Sequence, residues 1–387
     1  MVDSVNLRKT PLNAVHRSLG AKMVDFGGWD MPVEYPQTGG LVAEHKAVRS
    51  GVGVFDVSHM GDIRVSARRT AGAALAAVQH ITMNDASKLA IGQAQYSAML
   101  YQEGTFVDDV IVHRLGQDDF LLVINAGTRE KDINWVSANT KDFDCSVVDL
   151  SDFYTQLAIQ GPRAMEVVQK LTPANLSKLG NYWFTESRVC GLENTLIART
   201  GYTGEDGFEI YVPSDKATSE EVWAMVMSAG REAAMIPCGL GARNTLRLEA
   251  RLSLYGHEIS QEINVWEAGL GRFCKMDKRD FIGRAALVRA KAAVLTRTLV
   301  GIEMVDRGIA RDGYRCANQA GEAIGVITSG SPSPTLGKNI ALAFVPPDMS
   351  AAGTTVYVEI RGQKSKAQVV PTPFYKRSKS TAVQSGS

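Results

Sequence analysis

Val107-Asp-Asp-Val-Ile-Val-His-Arg-Leu115 and Phe120-Leu-Leu-Val-Ile-Asn125 are two largely apolar runs, separated by the polar turn Gly116-Gln-Asp-Asp119. Short runs rich in Val, Ile and Phe around such a turn are typical of two neighbouring strands. The pattern therefore predicts a β-hairpin, and it places an acidic pair, Asp108 and Asp109, near the start of the first strand.

The acidic pair interrupts an otherwise apolar strand. Adjacent side chains of a strand face opposite sides, so one carboxylate is expected to point inward and the other outward. An inward carboxylate in apolar surroundings is destabilising unless it is neutralised or paired. Two interpretations follow: an Asp that caps the turn at the strand start, or a carboxylate that binds a ligand carrying hydrogen-bond donors.

Three segments of different character surround and follow this hairpin. Residues 8–150 and residues 151–285 each mix helix and strand patterns, which predicts two mixed α/β parts. Residues 296–376 consist of short, often alternating strands with Gly- and Pro-rich turns such as Ser329-Gly-Ser-Pro-Ser-Pro334. This pattern predicts a separate small β-barrel or sandwich. Residues 377–387 are small and polar, and we expect them to be disordered.

The composition excludes several classes of protein. A chain of 387 residues is longer than one core usually organises, so more than one domain is expected. The net charge of +1 gives no support to a nucleic-acid partner. The five cysteines and six histidines are scattered, which predicts neither a disulfide framework nor a metal site. No apolar stretch of ~20 residues and no signal peptide is present, so we expect no membrane partner and a cytoplasmic protein, or a mitochondrial matrix protein if the chain is a processed eukaryotic form.

Few residues carry an isolated chemical signal. The phosphate-binding GxxxxGK[ST], the GxSxG and the HExxH motifs are absent. Glu209 lies among apolar neighbours on a predicted strand, and Arg243 lies where a turn enters a helix. Taken alone, these residues are most simply an exposed Glu and a solvated Arg. The residues themselves thus indicate a multidomain α+β protein with a candidate acidic site, without naming a reaction.

A series of local motifs, in collinear order over roughly residues 8–376, resembles the glycine cleavage T-protein family. The motifs are Thr10-Pro-Leu12, Gly20-Ala-Lys-Met-Val-Asp-Phe-Gly-Gly-Trp29, Phe55-Asp-Val-Ser-His-Met60, Tyr96-Ser97, Asp108-Asp-Val-Ile-Val112, Asn125-Ala-Gly-Thr-Arg-Glu-Lys-Asp132, Gln160-Gly-Pro162, Thr200-Gly-Tyr-Thr-Gly-Glu205, Pro237-Cys-Gly-Leu-Gly-Ala-Arg243, Leu246-Arg-Leu-Glu249, Asp280-Phe-Ile-Gly-Arg284 and Ser333-Pro-Thr-Leu336. Each motif is modest alone, and together they are specific.

The resemblance implies an α+β fold of three domains arranged as a cloverleaf. Two mixed α/β domains and a C-terminal small β-barrel would surround a central folate channel. The implied enzyme is an aminomethyltransferase of glycine cleavage. It would transfer the methylene group of the S-aminomethyldihydrolipoyl arm of a carrier, the lipoylated H-protein, to tetrahydrofolate, with release of ammonia and formation of 5,10-methylenetetrahydrofolate.

The resemblance also implies roles for individual residues. The family's functional aspartate is matched to Asp108, whose carboxylate would accept hydrogen bonds from the folate amine region and stabilise developing positive charge. Glu209 is matched to a pterin-binding Glu, and Arg243 to a folate-binding Arg that would serve either the carboxylate end of the cofactor or the loop that holds Asp108. The residues expected to line the folate pocket are Met60, Tyr96 and Tyr202, with Asn125 and Trp266 as further candidates for the same wall.

Three departures from the family pattern, at Asn244, Asn264-Val-Trp266 and Arg272, and two competing functions accompany this assignment. Arg272 stands where the family frequently has an aromatic residue. A tetrahydrofolate-dependent demethylase of the same fold, acting on a small methylated substrate, would share the folate residues. A non-catalytic folate-binding scaffold would carry the signature Lys-Gly-Cys-Tyr-x-Gly-Gln, and this chain has Arg199-Thr-Gly-Tyr-Thr-Gly-Glu205 instead.

Overall fold

The structure is a computed structural model that describes residues 7–377. Its α-helices are α1 Asn13–Ser18, α2 Gly40–Ser50, α3 Ala73–Ile81, α4 Arg129–Thr140, α5 Ala164–Gln169, α6 Lys216–Ala229, α7 Leu240–Glu249 and α8 Arg284–Ala292. Its strands are β1 Lys22–Phe26, β2 Trp29–Glu34, β3 Gly53–Asp56, β4 Gly61–Ala67, β5 Ala94–Leu100, β6 Phe106–Gly116, β7 Asp119–Ile124, β8 Cys145–Asp149, β9 Tyr154–Gln160, β10 Phe184–Val189, β11 Leu192–Ala198, β12 Gly207–Pro213, β13 Ile236–Pro237, β14 Thr298–Met304, β15 Arg315–Ala317, β16 Ala323–Ser333, β17 Lys338–Val345, β18 Thr355–Ile360 and β19 Gln363–Val370. Apart from Arg377, the segment 377–387 that was predicted to be disordered lies outside the described residues.

The predicted hairpin forms the centre of a five-stranded antiparallel sheet in the order β5-β6-β7-β4-β8. Helices α3 and α4 cover one face of this sheet through a core that includes Val78 and Val136. Strand β7 is buried along almost its whole length, because its other face is covered as well. This double burial explains why the strand is a continuous apolar run instead of an alternating one.

A second, six-stranded sheet has the order β10-β11-β12-β9-β3-β13. All of its neighbouring strands are antiparallel except the pair β3 and β13. Helices α5 and α6 cover one face through residues such as Val167 and Trp223. Strand β3 belongs to this sheet although it precedes residue 150 in the chain, so the chain contributes to the second unit before it completes the first. The division at residues 150 and 151 remains a proposal.

The two sheets face each other with the sides that the helices leave uncovered. Leu121 and Val123 of the first sheet share one apolar cluster with Phe184, Leu196 and Tyr211 of the second. Where this cluster ends, the space between the sheets opens into a cavity. Polar residues of the neighbouring strands line that cavity, whereas the apolar residues next to them in the sequence are buried in the sheet cores.

The C-terminal segment forms a closed barrel in the order β14-β17-β16-β15-β18-β19, which decides between the barrel and sandwich alternatives. The pairing of β14 with β19 closes it. The predicted turn at residues 329–334 is wrong in part, because β16 continues to Ser333 and pairs Pro332 with Asn339. Proline is tolerated near a strand end, where one missing ladder hydrogen bond costs little. The predicted fold of two mixed α/β domains and a C-terminal barrel is confirmed.

Candidate active site

The cavity between the two sheets has a volume of about 1160 Å³, including the part that is open to solvent. Both sheets, helix α7, the loop 251–253 and the segment 270–273, which includes a short 3-10 helix, contribute to its wall. Of the eight residues proposed from the family resemblance, six line the cavity: Met60, Tyr96, Asn125, Tyr202, Glu209 and Arg243. Residues from distant parts of the sequence are therefore brought to one site.

The structure places Asp109, and not Asp108, at the cavity. Asp108 is fully buried on the other face of β6, where its carboxylate accepts hydrogen bonds from the hydroxyl of Thr128 and from Nδ2 of Asn125 at 2.8 Å. The assignment of the ligand-facing position to Asp108 is thus corrected. The alternation of a strand requires one carboxylate on each face, and only the pairing of β6 inside its sheet decides which face adjoins the cavity.

Asp109 is held in place by its neighbours. Nδ2 of Asn125 donates a hydrogen bond to Oδ1 of Asp109 at 2.8 Å, and the same nitrogen contacts Asp108. Burial, and then the adjacent charge of Asp108, raise the pKa of Asp109 to about 7, while hydrogen bonds from Asn125 and Tyr96 oppose the rise. A carboxyl group with such a pKa can bind or release a proton at neutral pH, as general acid–base catalysis requires.

Glu209 presents a second carboxylate from β12. One of its oxygens, Oε2, accepts a hydrogen bond from the hydroxyl of Thr200. Burial raises the pKa of Glu209, and Thr200 and the nearby positive charge of Arg243 counteract that effect. No hydrogen-bond partner of Oε1 is found among residues 7–377, so this oxygen is free to accept from a ligand.

Tyr202 lies in the turn between β11 and β12, and this turn is shaped by Gln160. A Cβ at Gly201 would lie 2.0 Å from Oε1 of Gln160, and a Cβ at Gly207 would lie 2.4 Å from Nε2. Only glycine therefore allows the turn to close on the Gln160 side chain. The Tyr202 hydroxyl donates to the carbonyl of Ser253, and the guanidinium carbon of Arg243 lies 4.7 Å from the centre of the Tyr202 ring.

Trp266 is the second proposed residue that is not part of the cavity wall. Its indole Nε1 donates to the carbonyl of Leu287 at 2.9 Å. A Cβ at Gly271 would lie 2.6 Å from the Trp266 ring, so the ring packs directly behind the lining segment 270–273. Trp266 thus supports the wall from outside, and its proposed contact with folate has no support in its position.

Several residues that line the cavity were not predicted from the sequence, among them Gln156, Tyr182, Arg251, Arg272 and Phe273. Arg272 was noticed only as a departure from the family pattern. Arg251 carried no signal, because nothing in its local sequence shows that the chain after α7 turns towards the two sheets. Within residues 7–377, no cluster of His, Cys, Asp and Glu is suited to hold a metal ion, and no helix is long and apolar enough to span a membrane.

Two opposed β-sheets, an attached barrel and a cavity with two carboxylates define an enzyme-like architecture for a small ligand with hydrogen-bond donors. Comparisons with known proteins agree. The family model of the GCVT N-terminal domain matches residues 12–278, and that of the glycine cleavage T-protein C-terminal barrel domain matches residues 297–376. The chain therefore belongs to the glycine cleavage T-protein family, as its motifs predicted.

Individual relatives are similar over nearly their whole length. An aminomethyltransferase of Koribacter versatilis is 64% identical over 97% of this chain and 98% of its own length. An aminomethyltransferase of Desulfitobacterium hafniense is 47% identical over 96% and 99%, respectively. The crystal structure of the glycine cleavage system aminomethyltransferase T from Bartonella henselae matches with a TM-score of 0.88 at 32% identity, covering 96% of this chain and 99% of that one.

Proposed function

We propose that the central cavity binds tetrahydrofolate and that Asp109 serves the transfer of a methylene group to it from the S-aminomethyldihydrolipoyl arm of an H-protein carrier. The chain is an aminomethyltransferase by its family. That the co-substrate is tetrahydrofolate, that the carrier is lipoylated and that individual residues have the roles given below is what we propose in addition. The observation that supports it most is a buried carboxyl group of near-neutral pKa beside a second, partly unpaired carboxylate in one cavity.

The reaction requires proton transfers that Asp109 is suited to perform. Two N–C bonds form, at N5 and N10 of the folate, while the C–N bond to ammonia and the C–S bond to the lipoyl sulfur break. The two folate N–H protons leave, one ending on ammonia and one on the lipoyl thiol. As an anion, Asp109 can accept such a proton and can stabilise positive charge that develops on the folate nitrogen.

Glu209 is proposed to recognise the pterin ring. The 2-amino-4-oxopterin ring has adjacent N–H donors, and a carboxylate accepts from such a pair with favourable geometry. Met60, Tyr96 and Tyr202 provide flat or flexible apolar contacts for the rings of the ligand. The donor pattern of the ligand and the acceptors of the wall are thus complementary.

The direct test is the formation of 5,10-methylenetetrahydrofolate from tetrahydrofolate and an aminomethylated lipoyl carrier. Turnover by the wild type with stoichiometric release of ammonia is the expected result. A folded wild type that binds tetrahydrofolate without turnover would contradict the aminomethyl reaction. The comparisons do not favour the demethylase alternative. If the wild type bound tetrahydrofolate without turnover, a screen of methyl donors would test that alternative.

Glu209→Gln is expected to weaken tetrahydrofolate binding by about 10- to 100-fold, because a hydrogen bond to a charged group contributes about 1.5–3 kcal/mol. The dissociation constant is measured by fluorescence titration. Glu186→Gln is the matched control, since Glu186 lies exposed on β10 of the same sheet. Equal affinities of the Glu209 variant and the control would exclude the proposed pterin contact.

The location of the protein in the cell remains a prediction.

A further inference from the structure

Gln156 is a buried glutamine on the wall of the central cavity. It belongs to β9, is 2% exposed and lines the same cavity as Glu209. Its backbone is fixed, because its amide nitrogen donates to Oγ of Ser58 at 3.0 Å and its carbonyl accepts from the nitrogen of Val57 at 2.9 Å. A buried side-chain amide needs partners for both of its polar atoms, since an unpaired buried polar group is unfavourable.

Only one end of the Gln156 amide is paired. Its Nε2 donates to Oδ2 of Asp62, which is fully buried on β4 of the opposite sheet, so this hydrogen bond joins the two sheets. Burial raises the pKa of Asp62 well above its ordinary value, and a neutral carboxyl group still accepts through its carbonyl oxygen. Oε1 of Gln156 has no hydrogen-bond partner among residues 7–377. Because Nε2 carries two hydrogens, the second hydrogen and Oε1 form a free donor–acceptor edge.

The strand register places this edge beside Glu209. In the antiparallel pair of β9 and β12, Gln156 lies opposite Tyr211, and Ala158 lies opposite Glu209. Residues opposite each other share a face of the sheet, as do residues two positions apart on one strand. Gln156 and Glu209 are therefore diagonal neighbours on the face that lines the cavity, about 7–8 Å apart at the backbone. Their terminal groups can approach one ligand group from two sides.

We propose that Gln156 recognises the edge formed by N1 and the 2-amino group of the pterin, and that Asp62 is a positioning residue that holds the Gln156 amide in orientation. This inference rests on the proposed binding of tetrahydrofolate in the cavity. Glu209 accepts from N3–H and from one hydrogen of the 2-amino group. Oε1 of Gln156 accepts from the other hydrogen, and Nε2 donates to N1. A glutamine amide binds adenine in the same donor–acceptor manner, through a ring nitrogen and a nearby exocyclic amino group.

A bridge between the sheets does not by itself account for Gln156. The bridge uses a single hydrogen bond from Nε2 to Asp62 and leaves Oε1 at the cavity without a partner from the described residues. That arrangement is unfavourable for a buried acceptor unless a donor reaches it. The 2-amino group has one more hydrogen than Glu209 can accept in a paired contact with N3–H, and this hydrogen supplies the donor.

The test measures the dissociation constants of tetrahydrofolate and of 2-desamino-2-methyltetrahydrofolate, in which a methyl group replaces the 2-amino group. The ratio of the two constants gives the preference for the amino group. In Gln156→Met this ratio is expected to be about tenfold lower than in the wild type, because only the wild type leaves a buried Oε1 unpaired against the methyl group. Asp62→Leu, which keeps Gln156 without its orienting partner, is expected to lower the ratio by about threefold or more. Gln368→Met, at an exposed glutamine of β19, is the control and leaves the ratio unchanged.

An unchanged ratio in Gln156→Met would overturn the inference. Loss of affinity by the same factor for both ligands would assign Gln156 to the bridge between the sheets alone. If the variants fail to fold, the side-chain amide signals of Gln156 in the 15N-labelled wild type decide. They are expected to shift on binding of tetrahydrofolate and much less on binding of the methyl analogue, and equal shifts would contradict the contact. Absence of any tetrahydrofolate binding by the wild type would instead contradict the proposed function itself.

Discussion

Replacement of Asp109 by Asn is expected to lower kcat by roughly a hundredfold or more, the usual contribution of a positioned acid–base or charge-stabilising group. The amide keeps the size of the side chain and can still contact Asn125, but it can neither accept a proton nor stabilise a cation as an anion does. Single-turnover formation of 5,10-methylenetetrahydrofolate measures the effect on the chemical step. Tetrahydrofolate binding, measured separately, is expected to change much less.

Asp108→Asn is the matched control on the opposite face of the same strand. Its carboxylate contacts Thr128 and Asn125 instead of the cavity, so the variant is expected to retain more activity than Asp109→Asn. A larger loss of kcat in Asp108→Asn, at comparable stability, would contradict the assignment of the reacting carboxylate to Asp109.

The activity is expected to depend on pH through Asp109. Burial and the adjacent Asp108 raise the pKa of Asp109 to about 7. Since the anion is the active form in the proposed role, kcat/KM is expected to increase as the pH rises through about 7 and to level off above it. Asp108→Asn removes the neighbouring negative charge and is expected to shift this limb to lower pH. If kcat/KM increases at the same pH in the wild type and in Asp108→Asn, the increase belongs to a titrating group other than Asp109.

The largest effect on stability is expected from Arg247→Met. Arg247 is 1% exposed, and its guanidinium binds Oε2 of Glu258 at 2.8 Å and Oγ of Ser329 at 2.8 Å. The contacts join α7 to the barrel strand β16. Removing one partner leaves a buried, uncompensated carboxylate, which costs about 3–5 kcal/mol. The midpoint of guanidinium-induced unfolding, followed by circular dichroism, is expected to fall accordingly.

A double variant, Arg247→Met with Glu258→Gln, separates the pair from the packing around it. It is expected to be more stable than the sum of the two single changes predicts, because no charge is left buried without a partner. Strict additivity of the three midpoints would show that the two side chains contribute independently. The exposed pair formed by Arg163, which precedes α5, and Glu166 on α5 is the control, for which little or no coupling is expected.

Much of the fold could be predicted from local patterns. The apolar runs before and after Gly116-Gln-Asp-Asp119 became β6 and β7, although the strands extend into the predicted turn. The barrel was recognisable from the strand pattern of residues 296–376, although β15 and β19 carry little of that pattern. Strand β15 has only three residues, and β19 begins with the polar sequence Gln363-Lys-Ser-Lys366. Neither has the apolar alternation that distinguishes a strand from a loop.

The site was predicted in part. Resemblance to the family indicated Glu209, Tyr202 and Arg243, and the structure brings them to one cavity. It also suggested Trp266 as a contact, whereas the indole packs behind the lining segment. Sequence alone does not distinguish a residue that touches a ligand from one that supports the wall, since both are equally constrained by their neighbours.

Local sequence was sufficient to predict the acidic pair, the hairpin that contains it and the family of the chain, because strand periodicity and ordered motifs depend on neighbouring residues. The tertiary structure decided that Asp109 faces the cavity and Asp108 the opposite side, since that choice depends on which face of β6 meets the second sheet. It also decided that Arg251 and Arg272, from separate segments, line the same cavity. Distant residues meet in one cavity through packing between segments, and no pattern within either segment contains that information.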